Sequence, residues 1–177
     1  MPQPITYREL TPADAAAFRT LRLQALHASP EAFGSTLEEE LTSVDRRFAQ
    51  QFSGPGRCIT GAFDGEQLIG MMGFVRETRH KTQHRGSIWG VFVAPEYRGL
   101  GIGTGLFQHL LHRLDALDGL EQIELVVSEQ SPAARRLYER AGFVEFGRLP
   151  GAFSSPDDGP PVSVVYMVRR RQEPGGA

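Results

Sequence analysis

The chain has 177 residues, 40% of them hydrophobic and 23% charged, and a formal net charge of −2. One domain of that size buries ~70% of the surface its unfolded chain exposes, and a near-neutral charge excludes the basic excess that nucleic-acid binding requires. Cys58 is the single cysteine, which excludes an internal disulfide and a multi-cysteine zinc cage, and no apolar run approaches the ~20 residues that span a bilayer.

The opening MPQPITYREL carries no apolar signal core, so the reading predicts a soluble cytoplasmic protein that makes no membrane contact. Residues 1–171 are expected to form a single domain and 172–177 a flexible tail. PITYRE (4–9) predicts a short strand. Thr11-Pro12-Ala13-Asp14 then supplies a capping hydroxyl, a proline at the first helical position and an acid in the first turn. The helix that follows should reach about Ala28, burying Phe18, Leu21 and Ala25, until SPEAFGS (29–35) breaks it. A second helix is patterned by Leu37, Leu41, Val44, Phe48 and Phe52 and stops at Gly54-Pro55-Gly56. RCITGAF and LIGMMGFVRE flank DGEQ as a hairpin, with Met71 and Met72 as sheet packing. SIWGVFV (87–93), apolar on both faces, predicts a third central strand.

A glycine-rich stretch opens the next helix, whose apolar stripe is Leu106, Phe107, Leu110, Leu111, Leu114 and Leu117. IELVVS (123–128) reads as a strand. Ser131-Pro132 offers another cap and first-turn proline for a helix that carries Leu137 and Tyr138 and ends at Gly142. FVEFGRL and VSVVYMVR close the chain as strands around a polar loop over residues 150–161. The predicted fold class is α/β (α+β): a central mixed, mostly antiparallel sheet of about seven strands flanked by about four helices.

The most informative stretch is RGLGIGTG, with Gly99, Gly101, Gly103 and Gly105 at alternate positions between a strand and a helix. A helix N-terminus presents unpaired N–H groups and about half a positive charge, and glycine lets an anion approach the backbone. A diphosphate suits such a loop, and Arg98 adds a fixed charge at its entrance. The P-loop ending Gly-Lys-Ser/Thr is absent, and a G-x-G-x-x-G fingerprint would need glycine at 104 or 106, where Thr104 and Leu106 stand. A glycine-rich turn without a ligand remains the alternative on these residues alone.

VFVAPEYRGLGIGTGLFQHLL resembles the cofactor motif of the GNAT superfamily of acyl-CoA-dependent N-acetyltransferases, Arg/Gln-x-x-Gly-x-Gly/Ala, here Arg98-x-x-Gly101-x-Gly103. SPAARRLYERAGF (131–143) resembles a second family segment, with Ala134, Leu137, Tyr138, Gly142 and Phe143 in place. Ser131 stands where the family commonly has asparagine, and Val126 where many members carry a glutamate base.

The resemblance implies transfer of acetyl from acetyl-CoA, as cosubstrate and without a metal, to a primary amine of a small molecule or protein, by direct attack through a tetrahedral intermediate. The N–H groups of Gly99, Leu100, Gly101, Ile102, Gly103 and Thr104 would hold the CoA pyrophosphate, with Arg98 and Ser131 beside it. The edge formed by Val91, Phe92 and Val93 would pair with the pantetheine arm, and a β-bulge at Gly90 would splay the strands. The Val93 N–H would meet the oxyanion, and Tyr138 would protonate the departing thiolate. Glu124 is the candidate base, with Glu77, His80, His84 or water alone as the other possibilities. A homodimer is expected on family grounds.

Other clusters read as ordinary surface. His109 and His112 share a helix without a third metal ligand. Glu38, Glu39, Glu40, Asp157 and Asp158 form a solvated acidic surface that would also attract a cationic amine. Arg169-Arg170-Arg171 reads as a solvated strand end. Two other function classes remain: a catalytically silent CoA-binding sensor of the same fold, and a nucleotide-binding oxidoreductase, which the failed fingerprint disfavours.

Overall fold

A computed structural model describes residues 4–42, 56–155 and 159–171. Its strands are β1 (Thr6–Glu9), β2 (Arg57–Asp64), β3 (Gln67–Arg76), β4 (Arg85–Val93), β5 (Gln122–Ser128), β6 (Val144–Phe153) and β7 (Val162–Arg170). They form one seven-stranded sheet in the order β1-β2-β3-β4-β5-β7-β6. β4 and β5 run parallel, and the other neighbours are antiparallel. The described helices are α1 (Ala15–Ala28), α2 (Leu37–Thr42), α3 (Ile102–Asp115) and α4 (Pro132–Arg140). The expected order of elements therefore holds. Val44, Phe48, Phe52, Asp157, Asp158 and residues 172–177 lie outside the described residues.

Each face of the sheet buries its own cluster. Leu106, Phe107, Leu110 and Leu114 of α3 pack with Ile123, Leu125, Val127, Val165 and Met167 on one face. On the other, Phe18, Leu21 and Ala25 of α1 pack with Ile59, Phe63, Met71 and Phe92. Adjacent strand residues point to opposite faces, and so Met71 joins the second cluster while Met72 joins the first.

Local chemistry sets several boundaries. The Thr11 N–H and hydroxyl both donate to Asp14 Oδ2, at 2.8 and 3.0 Å, and Arg8 grips the same carboxylate at 2.7 Å. That guanidinium holds the Asp14 carboxyl well below the usual carboxylate range. Thr36 and Glu39 form a reciprocal capping box at the start of α2, with Thr36 N–H to Glu39 Oε2 at 2.8 Å and Glu39 N–H to Thr36 Oγ1 at 3.1 Å.

Three expectations need correction. Ser131 makes no side-chain cap bond; its carbonyl instead accepts the Arg135 N–H at 3.1 Å. β6 continues to Phe153 because register shifts between Leu149 and Phe153 absorb the irregular backbone, so the polar loop is shorter than the composition implied. The arginines at the end of β7 are not simply solvated. Arg171 donates to the Leu117 and Asp115 carbonyls and Arg169 pairs with Asp115 at 3.6 Å, neutralising the negative end of α3.

Cys58 sits 3% exposed in the core, and burial pushes its thiol from an ordinary 9.0 up to about 11. The unfolded chain releases this proton more readily, so stability is fully present below pH 9.0 and is lost as pH rises toward about 11. The slope reaches ~1.4 kcal/mol per pH unit. Urea unfolding at pH 8 and pH 10 should therefore show a larger loss for the natural protein than for Cys58→Ala. Equal losses would refute the assignment.

Candidate active site

The parallel ladder between β4 and β5 covers Arg85↔Gln122, Gly86↔Ile123 and Ser87↔Glu124. Past Ser87, β4 slips register against β3, with Trp89 opposite Gly73 but Phe92 opposite Met71, and Gly90 takes φ +63°. Extra backbone inserted on one side of a ladder bends that strand. β4 thus leaves β5, while β5 stays paired with β7 as far as Ser128. The result is a slot closed at Ser87 and Glu124 and open toward Val93 and Ser128. The Ala94 N–H bonds back to the Ile69 carbonyl at 2.9 Å, so the ladder's alternation turns the Val93 N–H away from β3 toward the slot.

A short turn, Pro95–Tyr97, connects β4 to the glycine loop. Tyr97 anchors it by donating to Asp64 at 2.9 Å. Arg98, whose charge was expected at the loop entrance, folds back: its Nε donates to the Val93 carbonyl at 3.1 Å and its guanidinium lies over Phe92. It thereby fixes the loop to the end of β4.

The glycines separate into two kinds. Gly99 and Gly101 have φ of +78° and +79°, and a Cβ built on either would meet nothing within 4 Å. Gly101 caps α3 in the left-handed region, and the first N–H groups of a helix have no acceptor within it. Leu100 is exposed, and Ile102 anchors the helix from inside the core. Gly103 and Gly105 have ordinary helical φ and exist for packing. A Cβ at 103 would lie 2.9 Å from Leu137, and one at 105 would strike the Tyr7 ring. Gly103 thus lets α3 and α4 approach, with Thr104 exposed beside it. An anion fits the Gly99–Gly101 half of this loop, where backbone donors meet no competing side chain.

Tyr138 is 6% exposed and packs edge-on against Phe107, ring centroids 5.6 Å apart. Burial pushes its phenol pKa far above the usual value. Ser131 is half-buried at the start of α4, its N–H donating to the Ser128 carbonyl at 3.0 Å. It stands where β5 ends, next to the open end of the slot.

The candidate bases sit elsewhere. Glu124 lies opposite Ser87 at the closed end, where Arg85 and Gln122 hold its Oε1 at 3.1 and 2.6 Å. His84 precedes β4 and its carbonyl accepts from Glu121 and Gln122, so Glu77, His80 and His84 belong to the same closed end. Six strand rises of ~3.3 Å put Ser87, and Glu124 opposite it, roughly 20 Å from Val93. Glu39 and Glu40 are engaged with Thr36 and Arg22. Among the described residues, no group of three His, Cys, Asp or Glu could hold a metal ion, and no helix is long and apolar enough to cross a membrane.

Residues 22–143 match the profile of the acetyltransferase (GNAT) family. This chain belongs to that family. The match includes the glycine loop, the split strands and α4. Among curated GNAT relatives, the chain is 33% identical over 147 residues to the mycothiol acetyltransferase of Streptomyces scabiei, spanning 82% of this chain and 45% of that protein. It is 32% identical over 84 residues to the L-2,4-diaminobutyric acid acetyltransferase of Nocardia farcinica, spanning 48% and 42% of the two chains. The chain thus spans about half the length of the curated relatives it matches.

The GNAT fold is seen again in two solved structures. A GCN5-related N-acetyltransferase from Kribbella flavida superposes with a TM-score of 0.80 at 23% identity, covering 94% of this chain and 98% of that one. The spermidine N-acetyltransferase of Vibrio cholerae, solved with CoA and spermine, superposes with a TM-score of 0.73 at 23% identity, covering 94% and 95%.

Sequence reasoning missed Arg22. It lies four residues from both Phe18 and Leu26 on the buried side of α1, and that spacing was the available signal.

Proposed function

We propose that this chain is an N-acetyltransferase that moves the acetyl group of acetyl-CoA onto a primary amine. The observation that carries the proposal is the open left-handed pair Gly99 and Gly101 at the mouth of α3, beside a slot between two parted strands. Acetyl-CoA, when bound, would supply an activated thioester, leaving CoA as the thiol. The N–H groups of residues 99–104 would hold its diphosphate, with Ser131 flanking the slot. The freed edge of Val91, Phe92 and Val93 would pair with the pantetheine arm as an added strand does.

The amine attacks the thioester carbonyl directly. A lysine-like amine titrates near ~10.4 and must lose a proton first. With Glu124 held in its ion pair, water accepts that proton. The Val93 N–H, which the ladder's alternation turns from β3, would donate to the developing oxyanion. Tyr138 stays protonated because its phenol is buried, and it gives its proton to the leaving thiolate. With water as base, log(kcat/KM) should climb with unit slope from about pH 6 to about pH 9, following the amine itself. An inflection that disappears in Glu124→Gln would restore the carboxylate to the base role.

Val126, exposed on the β5 face where a base would stand, favours a second reading: a CoA-binding sensor without turnover. Acetyl-CoA with an amine panel, followed by free thiol release, separates the two. CoA binding with no thiol release from any amine would leave the sensor. No CoA binding by calorimetry would remove both.

A further inference from the structure

Arg22 is the least exposed charged side chain of the described core, at 8%, and burial lowers its pKa. Its Nη2 donates to Ser35 Oγ at 2.8 Å and to Glu40 Oε1 at 3.2 Å, while the guanidinium lies over the Phe33 ring at 4.7 Å. All three partners belong to the segment between α1 and the end of α2. Nη1 turns the other way. Among the described residues it is buried without a hydrogen-bond partner, and it lies 3.8 Å from where a Cβ on Gly90 would stand. One side chain therefore links that segment to the bulge that opens the slot.

The same segment crosses the open end. Ser29 lies beside Arg98 of the glycine loop, with Arg98 Nη2 3.5 Å from its hydroxyl. The Pro30–Ala32 turn packs on β5, and Gly34 approaches so closely that a Cβ there would lie 3.5 Å from Phe153 at the end of β6. Residues 29–36 thus bridge the β4 half and the β5–β7–β6 half of the parted sheet, on the face that carries α1.

We propose that Arg22 is a positioning residue for acceptor binding: by clasping Ser35 and Glu40, it fixes residues 29–40 as a strap across the open end of the slot. A buried guanidinium is suited to this because its planar fork reaches two partners while stacking on a third, which an ammonium cannot do. The strap, and with it the width of the acceptor entrance, responds to this side chain, which holds its second half as Arg98 and β5 hold its first. The acceptor part of the inference rests on the transfer reading above; the clasp does not.

The test compares the natural chain with Arg22→Lys and with the double variant Arg22→Met/Glu40→Leu, which removes both charges of this ion pair together. Amide hydrogen exchange should quicken at least ~10-fold at residues 33–36 in both, with the start of α3 unchanged. In steady-state kinetics the KM for the amine should rise ~10-fold, while the KM for acetyl-CoA stays within about twofold. A double variant that melts like the natural protein and keeps its amine KM and its exchange rates would overturn the proposal. Equal rises in both KM values would overturn the acceptor role. Should the natural chain acetylate no amine, the transfer reading and the acceptor role fall together, and the exchange data alone then decide the clasp.

Discussion

Replacing Gly101 by valine should abolish CoA binding detectable by calorimetry, whereas Gly105→Val should leave the affinity within about twofold and lower the melting temperature instead. Both are glycines of the RGLGIGTG stretch, and the difference lies in what surrounds them. Gly101 has φ +79° and open space ahead of it. A non-glycine residue in that left-handed region costs ~1–2 kcal/mol, more when β-branched, and its side chain would stand where the proposed site holds the diphosphate. Each ~1.4 kcal/mol is tenfold in affinity, so strain and obstruction together should exceed ~100-fold. Gly105 has ordinary helical geometry, but any Cβ there runs into Tyr7 of β1. Overpacking of that kind costs ~1–3 kcal/mol and leaves the backbone donors where they were. Equal loss of affinity in the two variants would refute this division of the loop.

Tyr138→Phe should lower kcat by ~10²-fold or more, the scale of a lost general acid, with little change in either KM. The ring would still pack against Phe107, 5.6 Å between centroids, so the fold should survive. Among the described residues no partner holds the Tyr138 hydroxyl, and removing it therefore breaks no structural hydrogen bond. The phenol's raised pKa fixes the sign of the pH behaviour: the group remains a donor throughout the neutral range, and activity should show no alkaline limb from it below about pH 10. A variant as fast as the natural protein would leave the thiolate to take its proton from water.

Sequence reading reached the strand and helix order because each element announces its own period. The hairpin turn at DGEQ and the stripe Leu106/Leu110/Leu114 are local signals, whereas the bulge at Gly90 was expected only from the family resemblance. The sorting of glycines was not local. Gly103 and Gly105 look like Gly99 and Gly101 in the sequence, and only the approach of Leu137 and Tyr7 tells them apart. The surroundings of Glu124 were hidden for a similar reason. Alternation gave the face it shares with Val126, but not that Ser87 pairs opposite it at the closed end or that Arg85 occupies its carboxylate. Arg22 was legible in its spacing, yet its partners come from a segment of its own chain 11 to 18 residues later, which no period encodes.

The seam between the halves of the sheet has a thermodynamic corollary. Only three residue pairs stitch β4 to β5 directly. A molecule that wedges into the cleft and supplies rungs to the bare strand edge becomes part of the masonry rather than a passenger. At a hundredfold excess over its dissociation constant, such a guest adds ~2.7 kcal/mol to the resistance against unfolding. Heat tolerance of this protein should consequently track how much CoA is at hand.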